Sequence, residues 1–199
     1  MASLLLRYPS PRLVEATQEL EVAVAGLPHG EARAALGRFL EHRQRMTPLD
    51  LEREYVEIFD TRRRCTLNVS YYVYGDTRRR GVALLRLKRM YAAAGLVLDS
   101  GELPDHLPVL LEFAAFAPAD YGARVLSEQR IGIELLREAL GAAESPYTDV
   151  LDAVCRALPR LGVREAGAVR RLAAAGPPDE SVGLEPFAPP EVMPGEARV

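Results

Sequence analysis

Residues 51–81 read LEREYVEIFDTRRRCTLNVSYYVYGDTRRRG, and they are followed by ALLRLKRMYAAAGLVL at 83–98 and ELPDHLPVLLEFAA at 102–115. Tyrosines are concentrated between Tyr55 and Tyr74. Between Thr61 and Leu98 there are nine Arg or Lys residues and one acid, which gives a local net charge of +8. An acidic turn with one histidine, residues 102–106, then leads into a strongly apolar segment.

The apolar segment Leu107–Ala117 predicts a central helix. Its apolar residues fall on nearly all sides of a helical wheel, and a helix of this kind is usually surrounded by other helices. Pro108 is compatible only with the first turn. The segments on both sides must therefore supply the helices that cover it.

Most other segments repeat the apolar spacing of amphipathic helices. A helix start is indicated by Thr47, Pro48 and Asp50, since a threonine cap, a proline at the first position and an acid in the first turn favour helix initiation. No alternating strand pattern extends beyond a few residues, so we predict an all-α, single-domain helical bundle. Besides the helix that follows Thr47, the predicted helices cover about 11–25, 30–45, 78–94, 107–117, 124–140, 147–161 and 164–175.

Length and charge limit the class of protein. A chain of 199 residues fits one domain with a real core. The overall net charge of −3 means that the chain outside the basic segment carries −11, which indicates a polarised surface and not a nucleic-acid binder. We assign 1–175 to the helical domain. The Pro-rich, acidic tail 176–199 is predicted to be disordered or to lie on the surface, and to be dispensable for folding.

The sequence offers no membrane span and no metal site. The apolar run Leu4–Leu6 is too short for the core of a signal peptide, and we expect a cytoplasmic protein. Neither cysteine has a CxxC neighbour, so no zinc site and no cofactor are predicted. Cys65 follows three arginines, which would favour its thiolate form, and Cys155 is interpreted as a core residue.

Three residues of the acidic turn, Glu102, Asp105 and His106, have three possible roles. Two acids and an imidazole could perform acid–base chemistry. Asp105 could instead cap the following helix, with Glu102 near its positive end. A third role is the binding of a peptide. In each case His106, at a helix start where positive charge is unfavourable, is expected to be mostly neutral at neutral pH.

The aromatic and basic residues allow two interpretations each. Tyr55 and Phe59 could be plain core, or they could form the wall of a groove together with Tyr72, since a tyrosine combines an apolar ring with a polar tip. The clusters Arg62–Arg64 and Arg78–Arg80 could be solvated surface or could bind phosphates.

Four short pieces of this stretch resemble the delta-subunit family of assembly chaperones for the membrane-bound respiratory nitrate reductase. The family belongs to the wider helical superfamily of molybdoenzyme chaperones. The pieces are in the family's order, with roughly its spacing, over about a third of the chain. They are YVEIFD at 55–60, YGDTR at 74–78, Arg80-Gly81, and ELPDHLP at 102–108.

The resemblance implies a function. A chaperone of this family binds the unfinished catalytic (alpha) subunit of nitrate reductase, including its N-terminal segment, in the cytoplasm until the molybdenum cofactor is inserted. It implies no enzyme activity, no bound cofactor, no nucleic acid and no membrane insertion, and it leaves the oligomeric state open. The alternatives are a chaperone for another molybdoenzyme, or a small nucleotide- or nucleic-acid-binding protein.

The resemblance also places the client groove beside the acidic turn, with helix-in-groove recognition as the mode of binding. We therefore predict that the client peptide contacts a set of acidic, aromatic and histidine side chains. They are Glu102, Asp105, His106, Tyr55, Phe59, Tyr72 and Glu112.

Overall fold

Twelve α-helices account for most of the residues that the structure, a computed structural model, describes, namely 1–99 and 101–178. A π-helical turn, Val56–Thr61, and a 3₁₀ turn, Arg63–Cys65, follow α5. The helices are α1 (Ala2–Leu5), α2 (Pro11–Glu15), α3 (Thr17–Ala25), α4 (Glu31–Gln44), α5 (Pro48–Tyr55), α6 (Tyr71–Tyr74), α7 (Arg78–Ala93), α8 (Leu107–Phe116), α9 (Ala119–Glu128), α10 (Arg130–Ala142), α11 (Tyr147–Ala157) and α12 (Val163–Ala175).

The all-α prediction is confirmed. Within the described ranges, the single pairing of extended backbone is an antiparallel bridge between Asn68 and His106. The predicted start of α5 is also confirmed, because the Thr47 hydroxyl accepts a hydrogen bond from the Asp50 amide at 3.2 Å. The prediction of a disordered tail concerns residues that lie, from 179 onward, outside the described ones.

The core centres on the pair α4 and α11, which pack along their length. Tyr147, at the start of α11, is only 1% exposed, and its ring centroid lies 4.9 Å from that of Phe39 and 4.7 Å from that of Phe59. Such aromatic pairs contribute beyond the apolar area that they bury. The core is thus anchored where α4, α11 and the π-helical turn meet.

One charged residue lies inside this core. Arg43, on the same stripe of α4 as Phe39, is 3% exposed, and its guanidinium nitrogens form no hydrogen bond with any described residue. Burial lowers the pKa of Arg43 below the usual value for arginine.

Three predicted helices have different bounds in the structure. The predicted helix 124–140 begins earlier and is divided at Gln129 into α9 and α10, because α9 packs on α8 while α10 packs on α6, α11 and α12. The predicted helix 11–25 is divided at Ala16. The helix predicted to reach 161 stops at Ala157, because Leu158 precedes a proline and is extended, with ψ of 156°.

The apolar helix α8 is buried from Leu107 to Leu110 and again at Phe113, but not at its C-terminal end. Leu107 and Leu110 have no exposed surface, whereas Phe116 is 80% exposed. The expectation of a helix surrounded by others therefore holds for its N-terminal turns. Its C-terminal turn borders an open groove.

We predict that Gly132→Ala strongly destabilises the protein. A Cβ atom at Gly132 would lie 2.2 Å from the carbonyl oxygen of Val69 and 2.9 Å from its carbonyl carbon, and backbone atoms cannot move aside as a side chain can. We expect a loss of about 2–4 kcal/mol in the free energy of unfolding, measured with urea, on the scale of overpacking in a core.

The matched control lies in the same helix. At Gly141 a Cβ would have only a methyl group of Thr148 as neighbour, at 3.9 Å. Gly141→Ala should leave stability unchanged or raise it by up to about 1 kcal/mol, since alanine is the better helix former. Equal effects of the two substitutions would contradict the close approach of α10 to Val69.

Candidate functional site

A groove of about 950 Å³ runs between the N-terminal segment, the segment 96–99 that follows α7, and helix α8. Its walls are largely apolar, with a charged rim. Apolar side chains that line it include Leu4, Tyr8, Leu13, Val97, Val109 and Phe116.

Much of this apolar lining is open to solvent. Phe116 is 80% exposed, Val97 88% and Tyr8 45%. Exposed apolar side chains that converge in a concave site, with polar groups around them, are the usual mark of a binding site. The groove is therefore the candidate functional site.

Glu112, on α8, fixes one wall of the groove. Its carboxylate accepts hydrogen bonds from the Ser3 hydroxyl at 2.9 Å and from the Arg7 guanidinium at 2.8 Å. These bonds hold α1 and Arg7 against α8. Glu112 lines the groove, with its charge already paired to Arg7.

His106 lies at the N-cap position of α8, with its side chain 14% exposed. Its Nδ1 is 3.9 Å from an oxygen of Glu102 and has no hydrogen-bond partner among the described residues. Burial lowers the pKa of His106 below 6.5, against the opposing pull of Glu102, Asp105 and Glu112. The prediction of a neutral imidazole agrees with this direction, but the dominant cause is burial.

The structure places Asp105 in the interior, with no exposed surface. One carboxylate oxygen accepts from the Asn68 amide at 3.0 Å, and the other accepts from the Ser70 hydroxyl at 2.6 Å and from Arg80 at 3.3 Å. The suggestion that Asp105 caps α8 is wrong, because His106 is the N-cap residue and no side chain caps that end. Asp105 instead ties the acidic turn to α7 and to the extended segment before α6.

Two predicted aromatic residues are also interior. Phe59 is 9% exposed and packs on Tyr55 and Tyr147, while the Tyr72 hydroxyl donates to the carbonyl oxygens of Arg64 and Thr66. Neither lines the groove, whereas Tyr55 does. The groove thus brings together Tyr55, Glu102, His106 and Glu112, while Asp105, Phe59 and Tyr72 do not line it.

The arginines before Cys65 do not make it a thiolate. Cys65 is 2% exposed, and burial raises its pKa more than Arg62 lowers it. Burial likewise raises the pKa of Cys155 to about 12, and Arg130 donates a hydrogen bond to its sulfur at 3.2 Å. Both thiols are free and protonated at neutral pH.

The N-terminal wall of the groove was missed by the sequence reasoning. Leu5 and Leu6 are fully buried, whereas Arg7, Tyr8 and Leu13 line the groove. A signal was present in the charged and aromatic pair that follows the leucines. Which face of α8 this segment covers could not be read from the sequence.

Two features are absent from the described residues. No group of three or more His, Cys, Asp or Glu side chains is placed to hold a metal ion in that part of the chain. Among the helices of residues 1–99 and 101–178, none combines the length and apolarity needed to cross a membrane.

Comparison with known proteins gives one family and several relatives. The family described as nitrate reductase delta subunit matches residues 26–153. The chain is 39% identical over 161 residues to nitrate reductase-like protein NarX of Mycobacterium tuberculosis, which is 81% of this chain and 24% of that protein.

Two further relatives carry the name of an assembly chaperone. The nitrate reductase molybdenum cofactor assembly chaperone NarJ of Escherichia coli is 38% identical over 76% of this chain and 65% of its own length. The probable NarJ of Bacillus subtilis is 32% identical over 84% of this chain and 92% of its own. The chain therefore spans about a quarter of NarX and just under two thirds of the E. coli NarJ.

We predict that Asp105→Asn lowers the free energy of unfolding by about 3 kcal/mol, because it removes the buried negative charge that faces Arg80 and accepts from Asn68 and Ser70. The check is urea unfolding, with Asp99→Asn as control. Asp99 lines the groove and is exposed, so its substitution should change stability by less than about 0.5 kcal/mol. Equal stabilities of the two variants would show that Asp105 is not held as described.

His106 should make stability depend on pH. Its pKa is lower in the folded protein than the ordinary 6.5, so its contribution is complete above that pH. It is lost as the pH falls through the pKa of the folded state, because only the unfolded chain gains the proton readily. Between about pH 7.5 and pH 5, His106→Gln should lose less stability than the parent protein.

The control is the exposed His29. The stability of His29→Gln should change with pH as that of the parent protein does. The same result for His106→Gln would contradict the burial of a neutral His106.

Proposed function

The chain belongs to the nitrate reductase delta subunit family, and from this premise we propose that it is a chaperone for the assembly of nitrate reductase. It binds the catalytic subunit before the molybdenum cofactor is inserted, acts in the cytoplasm, and catalyses no reaction itself. The observation that carries the proposal is the open, apolar groove with a charged rim.

The groove suits one amphipathic helix of the client. A helix with its side chains is about 10–12 Å across, and it can bury an apolar stripe of residues spaced three and four apart in such a groove. Phe116 and Val97 offer the apolar contact, and both are largely exposed. We assign the N-terminal segment of the catalytic subunit to this place.

The rim favours a client with basic residues. Three acids, Asp99, Glu102 and Glu112, line the groove together with two bases, Arg7 and Arg12. The acids are in excess, and carboxylates at a rim steer a basic segment and fix its register. Tyr55, His106 and Glu112 complete the set of predicted residues that can touch the client. Asp105 and Phe59 act indirectly, because Asp105 fixes the turn before His106 and Phe59 packs on Tyr55. Tyr72 does not line the groove.

Release of the client requires a modest affinity. A micromolar dissociation constant corresponds to about 8 kcal/mol. This is compatible with a shallow site in which a few apolar contacts dominate, and an assembly factor must let its client go once the cofactor is in place.

We predict that Phe116→Ser weakens binding of a synthetic peptide from the N-terminal segment of the catalytic subunit at least about tenfold, since an apolar side chain of this size contributes about 1.5–3 kcal/mol when buried. Calorimetry would measure the affinity. Thermal stability should not change, because Phe116 is exposed in the free protein.

The control is Val163→Ser. Val163 is 90% exposed at the start of α12 and does not line the groove, so its substitution should leave peptide affinity unchanged. If both variants bind like the parent protein, the client lies elsewhere. Co-purification from cells tests the wider proposal. If a different molybdoenzyme is recovered, and Phe116→Ser reduces that recovery, the groove is the binding site but nitrate reductase is not the client.

A further inference from the structure

Helix α7 presents an outward face that the described residues leave uncovered. Val82 is 70% exposed and Leu85 is 49% exposed. With Arg78 and Arg89 they form one stripe, because positions 78, 82, 85 and 89 return to the same side of a helix. The opposite side, with Leu87 and Tyr91, is buried.

Arg79 and Lys88 add positive charge on the two sides of the stripe. Arg79, Lys88 and Arg89 form no ion pair with any residue in the ranges 1–99 and 101–178. Arg86 differs, since it pairs with Glu128 of α9 at 2.8 Å. An exposed apolar stripe between basic side chains fits an acidic segment that carries its own apolar residues.

A segment of that composition begins beside the start of α7. After α12 the chain crosses the turn at Gly75, where a Cβ atom would lie only 1.7 Å from the carbonyl oxygen of Pro178. Gly75 also has a φ of +60°, which suits glycine. Pro178 is thus packed on the backbone three residues before Arg78.

The residues that follow Pro178 read DESVGLEPF, 179–187. They contain three acids, Asp179, Glu180 and Glu185, and no basic residue. Their apolar members are Val182, Leu184 and Phe187. The charges complement those of α7, and the apolar residues complement Val82 and Leu85.

We propose that residues 179–187 bind along the outward face of α7, with Asp179 and Glu180 at Arg78 and Arg79 and Glu185 near Lys88. The distances allow it. The helix rises about 17 Å from Arg78 to Arg89 at 1.5 Å per residue, and nine extended residues reach about 30 Å. The segment thereby covers the apolar stripe and reduces the positive charge of this surface. A partner that uses the same face through anionic groups has to displace it.

The chain offers a sharp test, because Lys88 is its single lysine. A carbodiimide joins an amine to a carboxylate only when the two are in contact, and Lys88 and the N-terminus carry the amines available in the full chain. Peptide mass spectrometry should find Lys88 linked to Glu185, or to Asp179 or Glu180. In about 1 M NaCl, where the screening length is about 3 Å, the yield should fall several-fold.

Moved lysines provide matched controls in a Lys88→Arg background, which keeps the charge and removes the amine. Adding Arg79→Lys should restore the cross-link, now to Asp179 or Glu180. Adding Arg53→Lys places the amine on α5, with a side chain 71% exposed, and should give a yield several-fold lower than Lys88. A mixture of isotopically labelled and unlabelled protein should show links within one chain only.

Three results would overturn the proposal. The first is an Arg53→Lys variant that cross-links to 179–187 in the same yield as Lys88 does. The second is a set of links from Lys88 to carboxylates of other segments but not to 179–187. The third is a set of links to 179–187 that join two copies of the chain.

Discussion

The buried carboxylate of Asp105 is the interaction on which the rest of the structure depends. It joins the acidic turn to Asn68 and Ser70 on one side and to Arg80 of α7 on the other. A carboxylate without exposed surface is tolerated only when its oxygens are satisfied, since an unpaired buried charge costs several kcal/mol. The three segments must therefore be in place together. His106, the next residue, then starts α8 and forms part of the groove, so the position of the groove follows from this network.

Most helices of this fold could be predicted because each has its own apolar stripe, and α5 even has its own cap at Thr47. The breaks at Ala16 and Gln129 could not be predicted, because nothing local ends the helix there. The chain turns at Gln129 so that α9 and α10 can pack on different partners, which is a tertiary effect that overrides local preference. The end of α11 is different, because Pro159 stands in the sequence and a proline disfavours helical backbone at the residue before it, Leu158. Arg43 shows a further limit of prediction from sequence. Its spacing from Phe39 predicts the buried face of α4, whereas its charge predicts an exposed position.

The site was predicted in part, and the division has a physical cause. Tyr55 and His106 line the groove from the ends of α5 and α8, Glu102 from the turn before α8, and Glu112 from the side of α8 that faces the N-terminal segment. Asp105 was expected at the rim because an acid in a polar turn is usually exposed, and its partners Ser70 and Arg80 are 35 and 25 residues away in the chain. Phe59 and Tyr72 have the aromatic rings that suit a groove wall. Both are interior, because Phe59 packs on Tyr147 and the Tyr72 hydroxyl donates to the carbonyl oxygen of Arg64 in the 3₁₀ turn. Residue type can be read from a sequence, whereas the direction that a side chain takes depends on distant partners.

The antiparallel bridge between Asn68 and His106 closes the base of an excursion of the chain that contains α6 and α7. The bridge consists of two hydrogen bonds, which the amides of Val69 and Leu107 donate to the carbonyl oxygens of Asp105 and Leu67. Above this base, α7 contributes only Leu87, Met90 and Tyr91 to the interior, and its contacts with other helices are sparse compared with those between α4 and α11. Regions of this kind open as separate cooperative units. We therefore expect amide hydrogen exchange in α7 to proceed through local opening while α4 and α11 stay protected, and the groove wall at 96–99 to open with α7 and not with the core.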